Sequence, residues 1–290
     1  MNMSEPQVIV AADGGGSGCR AAAGTAAQGI LGQASNGPGN IHSDFDTAVA
    51  NLTGAIAQAL ENAGLAQTPL DQITAHLGVA GAHSDVEVQA LLAALPYGRC
   101  GVSGDRETSV RGALGTADGY VVALGTGTIV ARQKDLKMKT VGGWGFDLSD
   151  HASGAWLGRR LLEELVLAED ELRPHSDLSR TVCTAKGGLM GIVQFSSTAN
   201  PAAYATLARE LINAAAAGDA IALTLMAEGA VYLETALNTL GFKPGDHLVL
   251  TGGVGPHYAA YLPETLVRNV HPPKGSALEG AFAMAAQLLP

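Results

Sequence analysis

Residues 8–18 read Val8-Ile9-Val10-Ala11-Ala12-Asp13-Gly14-Gly15-Gly16-Ser17-Gly18. The apolar run, rich in β-branched residues, predicts a buried strand that ends at Asp13. The glycines allow a tight turn and let backbone N–H groups approach an anion without an obstructing Cβ. The carboxylate at the strand end suits a metal ion or its bound water. An ordinary hairpin turn is the alternative, and the rest of the chain has to decide between them.

The amino-acid composition limits the kinds of partner that the chain can bind. The chain has 290 residues, 47% hydrophobic and 15% charged, which is enough for two domains with large cores. Its 17 basic and 27 acidic residues give a net charge of −10, which argues against nucleic acid or an anionic membrane as a partner. No apolar run of about 18 residues predicts a membrane span. An anionic substrate would therefore be held by local donors and a metal ion.

The cysteines indicate the compartment. Cys19, Cys100 and Cys183 are widely spaced and form no CxxC pair, which fits a reducing environment and excludes a zinc ribbon or a disulfide scaffold. Residues 1–6 show no basic segment followed by an apolar one, so no signal peptide is expected. The sequence therefore predicts a cytoplasmic protein.

A pattern of strand, glycine turn and strand occurs twice, at residues 8–27 and 120–133. The second turn reads Gly125-Thr126-Gly127-Thr128. Strands and helices alternate along the rest of the chain, which predicts an α/β protein. Because the pattern occurs twice, we expect two domains, residues 1–117 with 276–290 and residues 118–275. The duplicated halves would face one another across a cleft.

Four predicted strand ends place glycine beside an acid or a hydroxyl. They read Asp13-Gly14-Gly15-Gly16, Gly104-Asp105, Gly125-Thr126-Gly127-Thr128 and Thr251-Gly252-Gly253. A glycine-dense loop, residues 141–154, also carries Trp144 and Asp150 ahead of a predicted helix. One such turn is weak support for phosphate binding, whereas four in this order are a specific signature.

With these motifs, and with Gly78-Val79-Ala80-Gly81-Ala82 and Gly142-Gly143-Trp144-Gly145, the chain resembles the sugar kinase, heat-shock ATPase and actin superfamily. More narrowly, it resembles the BadF/BadG/BcrA/BcrD ATPase family, in the branch of N-acetylglucosamine kinase and glucosamine kinase. The resemblance covers essentially the whole chain. It implies two actin-like (ribonuclease H-like) α/β domains with a nucleotide and sugar cleft between them, ATP and Mg²⁺ as cofactors, and a homodimer.

The resemblance also implies roles for individual residues. The nucleotide would be bound by Asp13, Gly14, Gly15, Gly16, Ser17, Gly125, Thr126, Gly127, Thr128, Gly252 and Gly253. The sugar would be bound by Asn40, Asp105, Gly143, Trp144, Gly145 and Asp150. Asp13 would hold Mg²⁺ through water, and Asp105 would face the accepting hydroxyl as general base.

Four of these residues have structural alternatives. Asp105 could cap a helix that begins near Thr108, and Asp150 could cap the helix that begins near residue 155. Trp144 could fold onto the core, and Asn40 could stabilise a turn.

The expected function is transfer of the γ-phosphate of ATP to the 6-hydroxyl of N-acetylglucosamine or glucosamine. An indole at Trp144 could pack on an acetyl group or a sugar face, whereas Asp147 or Asp150 could neutralise a free 2-amino group. One alternative is an ATPase that activates a CoA-ester dehydratase or reductase, which would need paired cysteines for an iron–sulfur cluster. The other is a nucleotide-binding sugar sensor without kinase activity.

Overall fold

The computed structural model describes residues 7–82 and 84–290; residues 1–6, on which the signal-peptide expectation rests, lie outside it. The chain forms two compact units, residues 1–116 with 273–290 and residues 117–272.

Each unit begins with three consecutive strands, which are followed by helices and two further strands. The first unit begins with β1 Val8–Gly14, β2 Cys19–Thr25, β3 Gly29–Asn36, α1 Phe45–Asn62, β4 Thr74–Val79, α2 Asp85–Ala94, β5 Arg99–Gly104 and α3 Asp105–Leu114. The second contains β6 Gly119–Leu124, β7 Thr128–Lys134, β8 Lys137–Val141, α4 Gly154–Glu169, α5 Asp177–Lys186, α6 Gly188–Thr198, α7 Pro201–Ala205, α8 Ala208–Ala216, α9 Ala220–Thr239, β9 Leu248–Thr251, α10 Glu264–Val267 and β10 Val270–His271. The last helix, α11 Ala277–Ala286, belongs to the first unit.

Each unit contains one five-stranded sheet, and the two sheets have the same topology. The strand orders are β3-β2-β1-β4-β5 and, in the matching direction, β8-β7-β6-β9-β10. In each sheet the first three strands in the chain pair antiparallel. The fourth strand pairs in parallel with the first, and the fifth pairs in parallel with the fourth. The internal repeat predicted from the two strand–turn–strand patterns is confirmed.

The continuous apolar run of β1 reflects burial on both faces of its sheet. Val8, Val10 and Ala12 lie in one hydrophobic cluster, which includes Leu52 of α1. The alternate residues of the strand lie in a second cluster with Phe282 of α11. A strand covered by helices on both sides needs no polar alternation, which is why its sequence reads as an unbroken hydrophobic stretch.

The core of the second unit is built on β6 and on the long helix α9. Among the residues that the structure describes, α9 is the one helix long and apolar enough to span a membrane by length and composition. Leu225, Met226, Leu233 and Leu237 of this helix are buried in the core. Its hydropathy is therefore explained by burial in the second unit.

Two parts of the second unit differ from what the sequence predicts. The spacing of apolar residues over 202–217 predicts a single helix, but these residues form two helices, α7 and α8. The backbone turns in 3₁₀ fashion between them, where Leu207 N donates to Tyr204 O at 3.0 Å. The edge strand β8 was not predicted. It follows a two-residue turn at Asp135 and Leu136, both with positive φ, and this turn lacks the Asn-Gly signal typical of a hairpin.

A buried polar cluster lies between β4, β5 and α3. His76 is 6% exposed, and its Nε2 lies 3.1 Å from the Ser103 hydroxyl. The Ser103 hydroxyl is also 3.1 Å from the Gly104 carbonyl oxygen and can donate to it. Burial, and then the charge of Arg111, lowers the pKa of His76 to about 4. The imidazole is therefore neutral at physiological pH.

The depressed pKa of His76 makes stability depend on pH. Above the ordinary pKa of about 6.5, both states are neutral, and the full stability is present. As the pH falls from about 6.5 to 4, His76 becomes protonated in the unfolded chain but stays largely neutral in the folded chain. We expect this residue to cost about 3 kcal/mol of unfolding free energy between pH 7 and pH 4.

Urea titrations at the two pH values check this prediction. His76→Gln should reduce the loss of stability by about that amount, whereas His257→Gln, at an exposed histidine, should not. Equal pH dependence in the wild type and in His76→Gln would contradict it.

Candidate functional site

The first glycine turn extends from the carboxyl end of β1 and leaves its backbone open. Gly15 N donates to Gly18 O at 2.9 Å, which closes the turn. Gly14 is buried, and a Cβ there would lie 2.8 Å from Gly39 O. Gly16, in contrast, has nothing within 4 Å of its Cβ position. The glycine at 14 is thus required by internal packing, whereas that at 16 leaves space for a ligand.

The loop after β3 is held against this turn. Gly39 N donates to Gly15 O at 2.9 Å, and Ile41 N donates to Ala80 O at 3.1 Å. The Asn40 side-chain oxygen accepts from His42 N at 2.9 Å. Asn40 therefore does stabilise a turn, as the structural alternative held, but its carboxamide nitrogen takes no part in that interaction.

Asp105 lies at the same end of the sheet as Asp13. Gly14 pairs with Val79, and Val79 pairs with Gly104, in two parallel ladders. Two strand spacings place Gly14 and Gly104 about 10 Å apart. Asp105 is the first residue of α3, and the N-cap is Gly104. The helix therefore begins earlier than expected, and Asp105 is not its cap.

A second carboxylate lies near Asp105. Glu107 Oε2 is 2.8 Å from the position that a Cβ on Gly104 would occupy. Glu107 was not predicted from the sequence, although an acidic pair in the first turn of a helix is a recognisable signal. Both acids lie in the first turn of α3, at the positive end of its dipole.

The second glycine turn is attached to the start of α4. Gly125 N donates to Gly127 O at 3.1 Å, and Gly154 N donates to Gly125 O at 2.8 Å. The Thr128 hydroxyl is buried and donates to His151 O at 2.7 Å. Two hydroxyls in this turn were predicted to bind phosphate. That of Thr128 is engaged in a hydrogen bond within the protein, whereas Thr126 is exposed.

The third glycine turn lies beside the second. Gly252 has a φ of +81°, and a Cβ there would collide with the Leu124 backbone. Val254 N donates to Leu124 O at 2.9 Å. Gly253 has nothing within 4 Å of its Cβ position. The parallel pairing of β6 with β9 thus brings two of the predicted nucleotide-binding turns together at one end of the second sheet.

The glycine-dense loop after β8 presents Trp144 on the surface. Gly142, Gly143 and Gly145 all have positive φ, and the Trp144 side chain is 75% exposed. The alternative that this indole folds onto the core is wrong. Phe146 anchors the loop instead.

The Phe146 anchor was not predicted. Its ring lies 5.1 Å from the Tyr204 ring and 4.9 Å from the Arg159 guanidinium. Arg159 also donates to Phe146 O at 3.2 Å. An isolated phenylalanine in a loop gives no sequence signal for such a partner.

Asp150 lies beside the second glycine turn. It is 9% exposed, its φ is +58°, and its Oδ2 is 3.0 Å from the Cβ position of Gly127. The N-cap of α4 is Ser153, so the capping alternative for Asp150 is wrong. Burial raises the pKa of the neighbouring Tyr232, and the charge of Asp150 raises it further.

The donor set at the first turn fits Mg²⁺. In the described part of the chain, no three or more His, Cys, Asp and Glu residues form a group that could hold a metal ion. Mg²⁺ in phosphoryl-transfer sites is instead held by one or two carboxylates together with the phosphates of the substrate. Asp13, next to an exposed turn, is a carboxylate of the kind that such a site uses.

The close approach at Gly252 gives a testable difference between neighbouring glycines. Gly252→Ala should lower the unfolding free energy by about 2 kcal/mol or more, because of its positive φ and the contact with Leu124. Gly253→Ala is the matched control, with an expected change within about 0.5 kcal/mol. Urea denaturation measures both, and equal losses in the two variants would contradict the assignment.

Comparisons with known proteins agree with this arrangement. The sequence profile of the BadF/BadG/BcrA/BcrD ATPase family matches residues 11–277. The chain is similar to glucosamine kinase GspK of Vibrio cholerae serotype O1, at 30% identity over 280 residues, which cover 96% of this chain and 95% of the relative.

Two solved structures share the fold. A candidate N-acetylglucosamine kinase from Chromobacterium violaceum matches with a TM-score of 0.89 at 27% identity, over 98% of this chain and 100% of that one. A ROK family glucokinase from Streptomyces griseus, solved with glucose and AMPPNP, matches with a TM-score of 0.60 at 16% identity, over 97% and 98%. The two α/β units thus have the actin-like fold of these kinases, and the chain belongs to the BadF/BadG/BcrA/BcrD ATPase family.

Proposed function

We propose that this protein is an ATP-dependent amino-sugar kinase that transfers the γ-phosphate to the 6-hydroxyl of N-acetylglucosamine or glucosamine. The observation that carries the proposal is the common position of Asp13 and Asp105 at the carboxyl ends of parallel strands. An exposed glycine turn follows the first acid, and a helix N-terminus holds the second. The glucosamine kinase at 30% identity supports the class of substrate.

The phosphates require donors that an acidic chain does not supply through its overall charge. In this proposal residues 14–17 bind phosphate oxygens in the first unit, through the N–H groups of Gly16 and Ser17, because the N–H of Gly15 closes the turn. Residues 125–128 do so in the second unit through the exposed Thr126, and Gly252 and Gly253 border the adenosine there. Mg²⁺, held by Asp13 through water, supplies charge neutralisation on the phosphates.

Asp105 is proposed as the general base. Phosphoryl transfer needs an acceptor for the proton of the attacking hydroxyl, and a carboxylate at the first position of α3 presents such an oxygen. The hydrogen-bonded pair His76 and Ser103 lies behind it, and Ser103 is placed to donate to the carbonyl of the capping residue Gly104. This contact holds the strand end from which Asp105 projects.

Sugar binding is proposed for Asn40, Gly143, Trp144, Gly145 and Asp150, together with Asp105. The exposed indole of Trp144 offers an apolar surface for an acetyl group or a sugar face. Asp150 offers a carboxylate to a cationic 2-amino group. A cytoplasmic location and a homodimer complete the proposal.

An iron–sulfur activator is less well supported by the thiols. Burial raises the pKa of Cys19 and Cys100, and a hydrogen bond to Glu169 raises the pKa of Cys183. Such an activator would need a cysteine pair, and Cys19 and Cys100 lie toward opposite ends of the first sheet, whereas Cys183 lies in the second unit.

The direct test is an ATP-dependent assay with N-acetylglucosamine, glucosamine, glucose and no sugar, with the product located by NMR. Phosphate on the 6-hydroxyl of either amino sugar is the expected result. ATP hydrolysis independent of sugar would favour the activator, and nucleotide binding without turnover would favour the sensor.

Asp105→Asn should lower kcat by about 10²–10⁴ and leave the Kd for ATP nearly unchanged, because it removes the proton acceptor only. Asp71→Asn, at an exposed acid of the same unit, is the control and should keep full activity. Steady-state kinetics and calorimetry measure the two quantities. An Asp105→Asn enzyme that retains most of its kcat would show that this acid is not the base.

Trp144→Ala should raise the KM for the sugar by about tenfold and leave the KM for ATP unchanged, because a stacked ring contributes about 1 kcal/mol beyond its area. If the indole contacts the acetyl group, the loss should be larger for N-acetylglucosamine than for glucosamine. Leu148→Ala, at another exposed residue of the same loop, is the control. Unchanged sugar kinetics would remove Trp144 from the sugar site.

A further inference from the structure

Tyr232, on α9, contacts the glycine-dense loop after β8 at two places. A Cβ on Gly142 would collide with the Tyr232 hydroxyl, so the phenol lies against the glycine backbone at the start of the loop. Near the end of the loop, the His151 ring stacks on the Tyr232 ring, with 4.8 Å between the ring centroids and 23° between the planes. A single side chain thus contacts residues on both sides of the segment that carries Trp144 and Asp150.

The backbone of this loop adopts conformations that outside contacts have to stabilise. Residues 142–145 include three glycines, all with positive φ, and glycine loses more conformational freedom on folding than other residues. Asp150 and Ala152 also have positive φ, which is costly for a residue with a Cβ and persists only where the surrounding structure enforces it. His151 lies between these two residues, so its stack on Tyr232 stabilises the strained end of the loop.

His151 also connects Tyr232 to the second glycine turn. The His151 carbonyl oxygen accepts from the Thr128 hydroxyl at 2.7 Å, which fixes the backbone of this residue. The ring is held separately, by Tyr232 and by Trp156, whose ring centroid lies 6.0 Å away. Loss of the Tyr232 ring would therefore release the side chain of His151 while the hydrogen bond to the turn remains.

We propose that Tyr232 is a positioning residue, which fixes the loop at Gly142 and His151 and thereby holds Trp144 and Asp150 in place for the sugar. The inference rests on the sugar-binding role proposed for those two residues. The Tyr232 hydroxyl is buried, so the residue acts through the loop and not by contact with the substrate. Its removal should weaken sugar binding and leave nucleotide binding unchanged, because the hydrogen bond from the second glycine turn to the loop is retained.

The variant Tyr232→Leu removes the ring but keeps an apolar side chain. Its KM for the amino sugar should rise by about tenfold, because misplaced contacts lose binding energy, while the KM for ATP stays within about twofold of the wild-type value. Tyr232→Phe retains the stacked ring and should stay within about twofold of the wild type for both substrates. Leu225→Ala, at a fully buried core residue of the same helix, is the control for general destabilisation. It should lower the melting temperature and leave both KM values unchanged.

A double-mutant cycle tests the contact at Gly142. Gly142→Ala should raise the KM for the sugar, because its Cβ meets the Tyr232 hydroxyl and its backbone keeps a positive φ. Combined with Tyr232→Phe, which removes the collision, the effect of Gly142→Ala should shrink by about threefold. Equal effects of Gly142→Ala with and without Tyr232→Phe would show that the two residues act independently, which contradicts the proposal.

Amide hydrogen exchange, followed by mass spectrometry, tests the positioning of the loop without an assay of activity. The amides of Ser149 and Ser153 donate to Gly145 O and Asp150 O. Exchange of the peptide that contains them should be about tenfold faster in Tyr232→Leu, because the loop opens more often. Leu225→Ala should leave that exchange unchanged.

Faster loop exchange together with a raised KM for the sugar in Tyr232→Leu, but not in Leu225→Ala, supports the inference. Unchanged loop exchange in Tyr232→Leu, or the same changes in Leu225→Ala, would overturn it. Faster loop exchange in a protein that phosphorylates no amino sugar would retain the positioning of the loop and refute the proposed function. Amino-sugar phosphorylation with an unchanged KM for the sugar in Tyr232→Leu would refute the inference alone.

Discussion

The parallel pairing of β4 with β1 on one side and β5 on the other determines where the chemistry of the first unit can lie. Parallel strands that share a register end together, so Asp13 and Asp105, 92 positions apart in the sequence, lie at one end of the sheet. The helices on both faces make that pairing stable, because they bury the apolar side chains of β1. The position of the acids is thus a consequence of strand register.

Glycine residues allow the strands and helices of both units to pack closely. Gly78 of β4 lies against Thr108 of α3, and Gly280 of α11 lies against the α3 backbone, so that helices approach where any side chain would separate them. The same constraint acts in the second unit, where Gly252 lies against Leu124. The abundance of glycine therefore has two physical causes. Some positions have no space for a Cβ, whereas others leave open space beside an exposed backbone.

Much of the fold could be predicted from the sequence, because strand ends, glycine turns and helix caps are determined by residues close together in the chain. The strand predicted to end at Asp13 ends one residue later, at Gly14, and the two strand–turn–strand patterns form sheets of matching topology. The contacts that could not be predicted are those between residues that are separated in sequence and share no motif. Phe146 on Arg159 and Asp150 beside Gly127 both depend on how the loops and helices of the second unit pack.

The net negative charge of the chain limits the ways in which it can hold an anion. A chain with a net charge of −10 gains no help from its overall field in holding phosphate. Compensation has to be local, through backbone N–H groups, a helix N-terminus and cations placed by register. Antiparallel pairing sets Arg20 opposite Asp13, and the two side chains form an ion pair. The register that positions the acid therefore also positions the cation that neutralises it.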